Sequence, residues 1–253
     1  MSRPHCDGVA YVIAQPRTGD GRGQRVLGRL NLVKGTVKTI APAPDLDALG
    51  YNPRDGLLYG VRNRAADGGP PSLQTIVPRD GSVKDSVPLP QDTYTAGAFS
   101  RDGLFYVRGR STVLVVNVRS KARVVRSFEV DSAVRLGDFA ARPSDGVLFG
   151  VDNAHGDLVR ISPRSGTVKR LGRLGVRKVS AAFFDADGTF RVAGDRLAGV
   201  DVTDLRASRR QVDVRRVAVH PVRPPALIDG AGCLPAVPRL VEAPSPRIAP
   251  RPV

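Results

Sequence analysis

Short apolar runs broken by turn residues set the rhythm of this chain. Leu57-Leu58-Tyr59-Gly60-Val61 follows Asn52-Pro53-Arg54-Asp55-Gly56, and the same order of turn and apolar run returns along the sequence. Pro fixes φ, Asp supplies a local acceptor and Gly takes the positive φ of a tight hairpin, so the phrase reads as strand, turn, strand. Five Asp-Gly pairs precede such runs: Asp7-Gly8, Asp55-Gly56, Asp102-Gly103, Asp145-Gly146 and Asp187-Gly188, separated by 48, 47, 43 and 42 residues. A period of this length belongs to the blades of a β-propeller, small sheets that cannot bury their faces alone.

Each copy divides into short strands. The second is expected at 46–51, 57–61, 73–77 and 82–89, and the third at 96–99, 104–107, 113–118 and 124–130. The fourth is expected at 138–140, 147–151, 158–161 and 167–171. The fifth runs from 181 through 189–192, 197–202 and 211–214. The first copy has only 9–13, 26–32 and 36–40, and its missing strand is assigned to 217–221, which closes the ring and removes the open edges. The expectation is an all-β, five-bladed β-propeller closed by pairing of the C-terminal strand with the N-terminal blade. It forms a single domain over 6–233, followed by a Pro-rich tail, 234–253, that reads as disordered or extended.

The formal charge of +15 changes the picture only in part. Just six of the 39 basic residues are Lys and the rest are Arg, a skew that GC-rich coding can produce without selection for a ligand. The charge is spread through every repeat and the few aromatic residues sit inside apolar runs, a poor match to a single-strand stacking platform. Specific nucleic-acid binding is therefore not expected, whereas an anionic polysaccharide, wall polymer or protein remains a fitting partner for a monomer. Runs such as 113–116 fall far short of a membrane-spanning helix.

Cys6 and Cys233 lie near opposite ends of the repeat region, which a circular fold brings together. A bridge between them implies an oxidising compartment; two unrelated buried thiols are the alternative. Residues 1–12 contain no basic segment followed by an apolar stretch, so no secretory signal is visible in them. An extracellular or cell-surface location is the expectation, with the cytoplasm as the alternative.

The phrase Gly50-Tyr51-Asn52-Pro53-Arg54-Asp55-Gly56-Leu57-Leu58-Tyr59-Gly60-Val61 and the repeated Gly35-Thr36-Val37-Lys38 and Gly166-Thr167-Val168-Lys169 carry a resemblance. Together with Cys6-Asp7-Gly8-Val9-Ala10-Tyr11 and Asp229-Gly230-Ala231-Gly232-Cys233, they resemble an uncharacterised propeller-type domain of secreted and surface proteins of bacteria. The resemblance covers residues 6–233. It implies the fold and an extracytoplasmic setting, and brings no catalytic motif.

Loops joining the second and third strands vary in length and fall on one face of the wheel, where binding tends to concentrate. Arg62, Arg64, Arg108, Arg110, Asp152, Asn153 and His155 are the candidate ligand-binding rim, against the plainer reading of a solvated loop face. Asp185-Ala186-Asp187-Gly188 resembles half of a calcium loop but lacks the further acidic ligands, so a hairpin is the better account. Asp47 and Asp138 sit at the starts of innermost strands, where a metal-dependent hydrolase or lyase would gather carboxylates around the channel. His5, His155 and His220 have no metal-ligand spacing, and no nucleophile or phosphate-loop motif is present. No catalytic residue, metal or cofactor is expected. The sequence reads as a non-catalytic binding or scaffolding propeller, with the channel metalloenzyme as the alternative.

Overall fold

The computed structural model describes residues 6–18, 21–43, 45–63, 68–130, 134–176, 178–194, 197–200, 214–215 and 226–235. In chain order the strands begin with β1 (Val9–Gln15), β2 (Arg17–Thr18), β3 (Gly21–Arg22), β4 (Val26–Asn31) and β5 (Thr36–Pro42). There follow β6 (Leu46–Asn52), β7 (Leu57–Arg62), β8 (Ser72–Ile76) and β9 (Val83–Pro88), then β10 (Ala96–Phe99), β11 (Leu104–Arg108), β12 (Thr112–Asn117) and β13 (Arg123–Glu129). Next come β14 (Leu136–Ala141), β15 (Leu148–Asp152), β16 (Asp157–Ile161) and β17 (Val168–Arg173). The last are β18 (Ala181–Phe184), β19 (Phe190–Ala193), β20 (Leu197–Val200), β21 (Val214–Arg215) and β22 (Ala226–Gly232). Apart from the small β2–β3 ribbon, the strands form antiparallel meanders arranged as a β-propeller.

The expectation of a five-bladed propeller is corrected to four blades. Four sheets are complete blades: β22-β1-β4-β5 (blade 1), β6 to β9 (blade 2), β10 to β13 (blade 3) and β14 to β17 (blade 4). The remaining sheet, β18 to β21, is described in its outer part only at 197–200 and 214–215, where the described residues pair as Gly199↔Arg215 and Val200↔Val214. Residues 201–213, where its outer half was expected, lie outside the described residues.

The closing strand is also corrected. Blade 1 is completed by β22, in the register Tyr11↔Ala231, Val12↔Gly230 and Ile13↔Asp229, rather than by 217–221, which lie outside the described residues. By composition Asp229-Gly230-Ala231-Gly232 reads as a turn. The axis of the wheel, however, selects small residues in innermost strands, as Gly97, Ala98, Ala140 and Ala182 do in β10, β14 and β18. Tertiary packing overrides local propensity there.

Innermost strands β22, β6, β10, β14 and β18 neighbour one another in turn around the axis. Between sheets the core is aromatic and apolar: Phe99 stacks on Phe105 at 4.6 Å and meets Tyr59 at 5.0 Å, while Phe184 packs against Phe149 and Phe190 at 6.0 and 5.2 Å. Each such pair contributes about 0.5–1.5 kcal/mol beyond area burial. Close approach at the axis also demands missing side chains. A Cβ on Gly137 would sit 1.8 Å from the Val179 carbonyl oxygen.

Outermost strands β5, β9, β13 and β17 each break register against their neighbour, leaving Ile40, Lys84, Val125 and Leu171 as the extra residues. Bulges and charged side chains on edge strands oppose pairing with other chains. The turn face is built as the sequence suggests. Asn52 Oδ1 accepts from the Arg54 N–H, Asp55 Oδ1 accepts from the Leu57 N–H, and Gly56 takes φ +74°.

Candidate functional site

Two regions gather chemistry-bearing side chains, and both grow from the loop-face ends of the inner and second strands. The first is the channel. Asp138 lies at a register break between Leu136 and Phe139 of β14, and Asp229 lies beside one in β22. Both side chains are fully buried. Each carboxylate reaches across the gap to the backbone of the next inner strand: Asp138 Oδ2 accepts from the Ala182 N–H at 2.6 Å, and Asp229 Oδ2 accepts from the Leu49 N–H at 2.7 Å. Their other oxygens accept from Phe139 and Gly230, at 2.8 and 2.6 Å. Innermost strands present one unpaired backbone edge to the axis, so these carboxylates satisfy donors that would otherwise be buried without partners.

Asp138 and Asp229 are also close enough for their charges to interact. Burial pushes both carboxyls well above the usual range, and the neighbouring charge of Asp229 adds to this for Asp138. The two carboxyls titrate as a pair, and burial together with their mutual repulsion disfavours ionising both. Asp47 stands nearby, raised by burial against the pull of Arg25, whose Nη1 donates to both its oxygens at 3.2 and 3.1 Å. Arg108 Nη1 donates to the Leu136 carbonyl at 2.8 Å, and burial lowers its pKa while Asp138 opposes that. Toward the turn face the channel is lined largely by glycine, alanine and phenylalanine, among them Gly97, Ala98, Phe99 and Ala182.

The second region is the rim of blade 4. Asp152 ends β15 with a fully buried carboxylate that receives the backbone N–H groups of Arg135 and Ala154, both at 3.1 Å. It also takes His155 Nδ1–H at 2.6 Å and Arg170 Nη1–H. Burial alone would raise its pKa, but the bonds from His155, Arg170, Ala154 and Arg135 overcome this and hold it at about 2. The carboxylate is therefore ionised, and the proton between it and His155 resides on Nδ1. His155 is exposed, and Arg170 also approaches Asp157 at 3.4 Å.

The expected rim residues do not act as one set. Asn153 clamps the neighbouring sheet, its Nδ2 donating to the Val179 carbonyl at 2.8 Å and its Oδ1 accepting from the Val179 N–H at 2.9 Å. Asn63 makes the same clamp on Tyr94, at 2.7 and 2.8 Å. Arg108 turns into the channel mouth, while Arg110 is exposed beside Asp92. Arg62 Nε and Arg108 Nε are buried without a hydrogen-bond partner among the described residues. Arg64 lies outside the described residues, as do His5 and His220. Asp152 and His155 come together, and Arg170 joins them from β17 without having been singled out by sequence. Asp185 and Asp187 form the expected hairpin. Asp185 accepts from Thr189 N–H at 2.9 Å and from Arg191 Nε, and burial together with Asp187 raises its pKa to about 6. Cys6 and Cys233 are joined in a disulfide with Cα atoms 5.0 Å apart. Among the described residues, no three His, Cys, Asp or Glu side chains converge as a metal site would require.

A family model described as a repeat of unknown function (DUF6923) matches residues 29–234, and the chain belongs to that family. No curated protein matches it. Among solved structures, it is similar to a chain of the nidogen/laminin complex, with 13% identity and a TM-score of 0.54, covering 88% of this chain and 98% of that one. It is also similar to a protein of unknown function from Bacteroides thetaiotaomicron, with 13% identity and a TM-score of 0.51, over 77% of this chain and 56% of that one. A further similarity, to virginiamycin B lyase from Staphylococcus aureus, has 13% identity and a TM-score of 0.45, over 80% and 70% of the two chains. At such identities the likeness concerns the fold alone.

Proposed function

We propose that the protein is a non-catalytic, extracytoplasmic binding module whose ligand is an anionic polysaccharide or wall polymer. The observation that carries this reading is the use of the channel acids. Both oxygens of Asp138 and of Asp229 accept backbone N–H groups, so these residues serve as ties between sheets. A hydrolytic metal site would call for convergent oxygen ligands with free lone pairs, and these four oxygens are already engaged by the backbone. The basic excess, 39 Lys and Arg against 24 Asp and Glu, supports an anionic ligand, and the disulfide supports an oxidising compartment.

The test is retention of the oxidised protein on immobilised polygalacturonate, with dextran as the neutral control. Saturable retention on the acidic polymer that weakens as salt rises is the expected result. Equal behaviour on both matrices overturns the reading. Stoichiometric divalent metal in the purified protein, lost together with a hydrolytic or lyase activity on chelation, would favour the channel metalloenzyme instead.

A further inference from the structure

The blade-4 rim is more than a solvated loop. A fully buried, ionised carboxylate is an unusual support for exposed side chains, and Asp152 supports two at once. His155 Nδ1 is held on Asp152 Oδ2, which fixes the ring and leaves Nε2, at the far side of the imidazole, directed away from the buried carboxylate. In the neutral ring Nε2 carries the lone pair and accepts hydrogen bonds. Arg170 hangs from the same Asp152 oxygen, and its bonds among the described residues all run through Nη1, to Asp152 and Asp157. Its Nε–Nη2 edge, two parallel N–H groups in one plane, is the edge that matches a carboxylate. His155 Nδ1 and Arg170 Nη1 are 3.3 Å apart, which brings an oriented acceptor and a planar fork within reach of adjoining groups on one sugar ring.

We propose that His155 and Arg170 form a subsite for a uronic-acid unit of an acidic polysaccharide, Arg170 binding the carboxylate and His155 Nε2 accepting a ring hydroxyl. Asp152 is the positioning residue. This rests on the binding-module reading above and assigns it a place. A polyphosphate needs positive charge but has no hydroxyl to give to Nε2, and an acidic peptide lacks hydroxyl donors beside each carboxylate. The pairing of acceptor with fork therefore favours a sugar acid over either.

Calorimetric titration of the oxidised full chain with polygalacturonate, and with inorganic polyphosphate as a polyanion without hydroxyls, separates the outcomes. His155→Ala removes the acceptor at an exposed position, and Arg170→Lys keeps the charge but removes the fork. Each is expected to weaken polygalacturonate binding about tenfold while leaving polyphosphate binding within about twofold. Thermal melts check that His155→Ala folds as the parent, so the result does not depend on Arg170→Lys alone. If the parent binds polygalacturonate and both variants bind it equally well, the subsite is wrong and the binding-module reading stands. If the parent binds neither polymer, both fall.

Discussion

Reducing the Cys6–Cys233 bridge is expected to destabilise the wheel by about 5 kcal/mol in chain entropy alone, since the crosslink closes a loop of 227 residues. The bridge sits where the ring closes. Cys233 follows β22 and its N–H donates to the Val9 carbonyl at 3.3 Å, while the Cys6 carbonyl accepts from the Val9 N–H at 3.2 Å. Cutting it frees the first strand of blade 1 to leave β1, and with it the contacts of β22 to β6 and β18. For a domain of this size about 5 kcal/mol corresponds to a fall in Tm of about 10–20 °C. Reduced parent protein isolates the crosslink because sulfur volume is retained, whereas Cys6→Ser with Cys233→Ser would add buried hydroxyls. The assay is differential scanning calorimetry of oxidised and reduced protein, with thiol state verified by mass spectrometry. A Tm difference under about 3 °C with both thiols free would refute the idea that this staple secures the closure.

Four further outcomes are expected. Asn153→Ala removes both bonds to the Val179 backbone and should lower stability by about 2–3 kcal/mol in urea melts, whereas an exposed Arg110→Ala should change it by less than about 0.5 kcal/mol. Lys178 is exposed and holds φ +53°, so Lys178→Gly should stabilise by about 0.5–1 kcal/mol; a loss would show that its side chain matters. Asp152, held at about 2, contributes about 2 kcal/mol that is present above the unfolded carboxyl pKa near 4 and lost as pH falls through 2, so Asp152→Asn should flatten the acid limb of stability against pH. Asp138 behaves oppositely. Its folded pKa is raised, so the native state holds a proton the unfolded chain releases, and stability should decline as pH rises above about 4; Asp138→Asn should reduce that decline, and an unchanged slope would contradict its raised pKa.

Much of the wheel was legible because turn chemistry is local. The Asp-Gly turns, the second and third strands and the hairpin at Asp185-Ala186-Asp187-Gly188 follow from residues that fix φ or accept a hydrogen bond a few positions away. The closing strand was not legible, because Ala226–Gly232 earns its place through the tight axis rather than through β propensity, and nothing local distinguishes such glycines from a loop. Of the outer strands expected at 197–202 and 211–214 in the fifth copy, the structure describes 197–200 and 214–215. Asp152 and His155 were found as rim residues, but Arg170 was not, since it comes from an outer strand and meets them only through blade folding.

Asp229 shows why the channel site was half visible. Asp138 lies seven residues before the turn aspartate Asp145, and counting back from a turn is how an inner-strand carboxylate can be recognised in a repeat. In blade 1 the corresponding turn is at Asp7, and Asp229 reaches it only across the gap between the chain ends, through Cys233 and Cys6. Joining the ends through Cys233 and Cys6 before aligning the repeats would have placed Asp229 within one residue of the register of Asp138. The same comparison finds Ala48, Thr95 and Ser180 seven residues before Asp55, Asp102 and Asp187, where Ser180 Oγ donates to the Leu227 carbonyl. The position is thus a tie between sheets at Asp138, Asp229 and Ser180, while Ala48 brings no polar side chain to it. Where two carboxylates fill it and are buried together, burial and mutual repulsion disfavour ionising both.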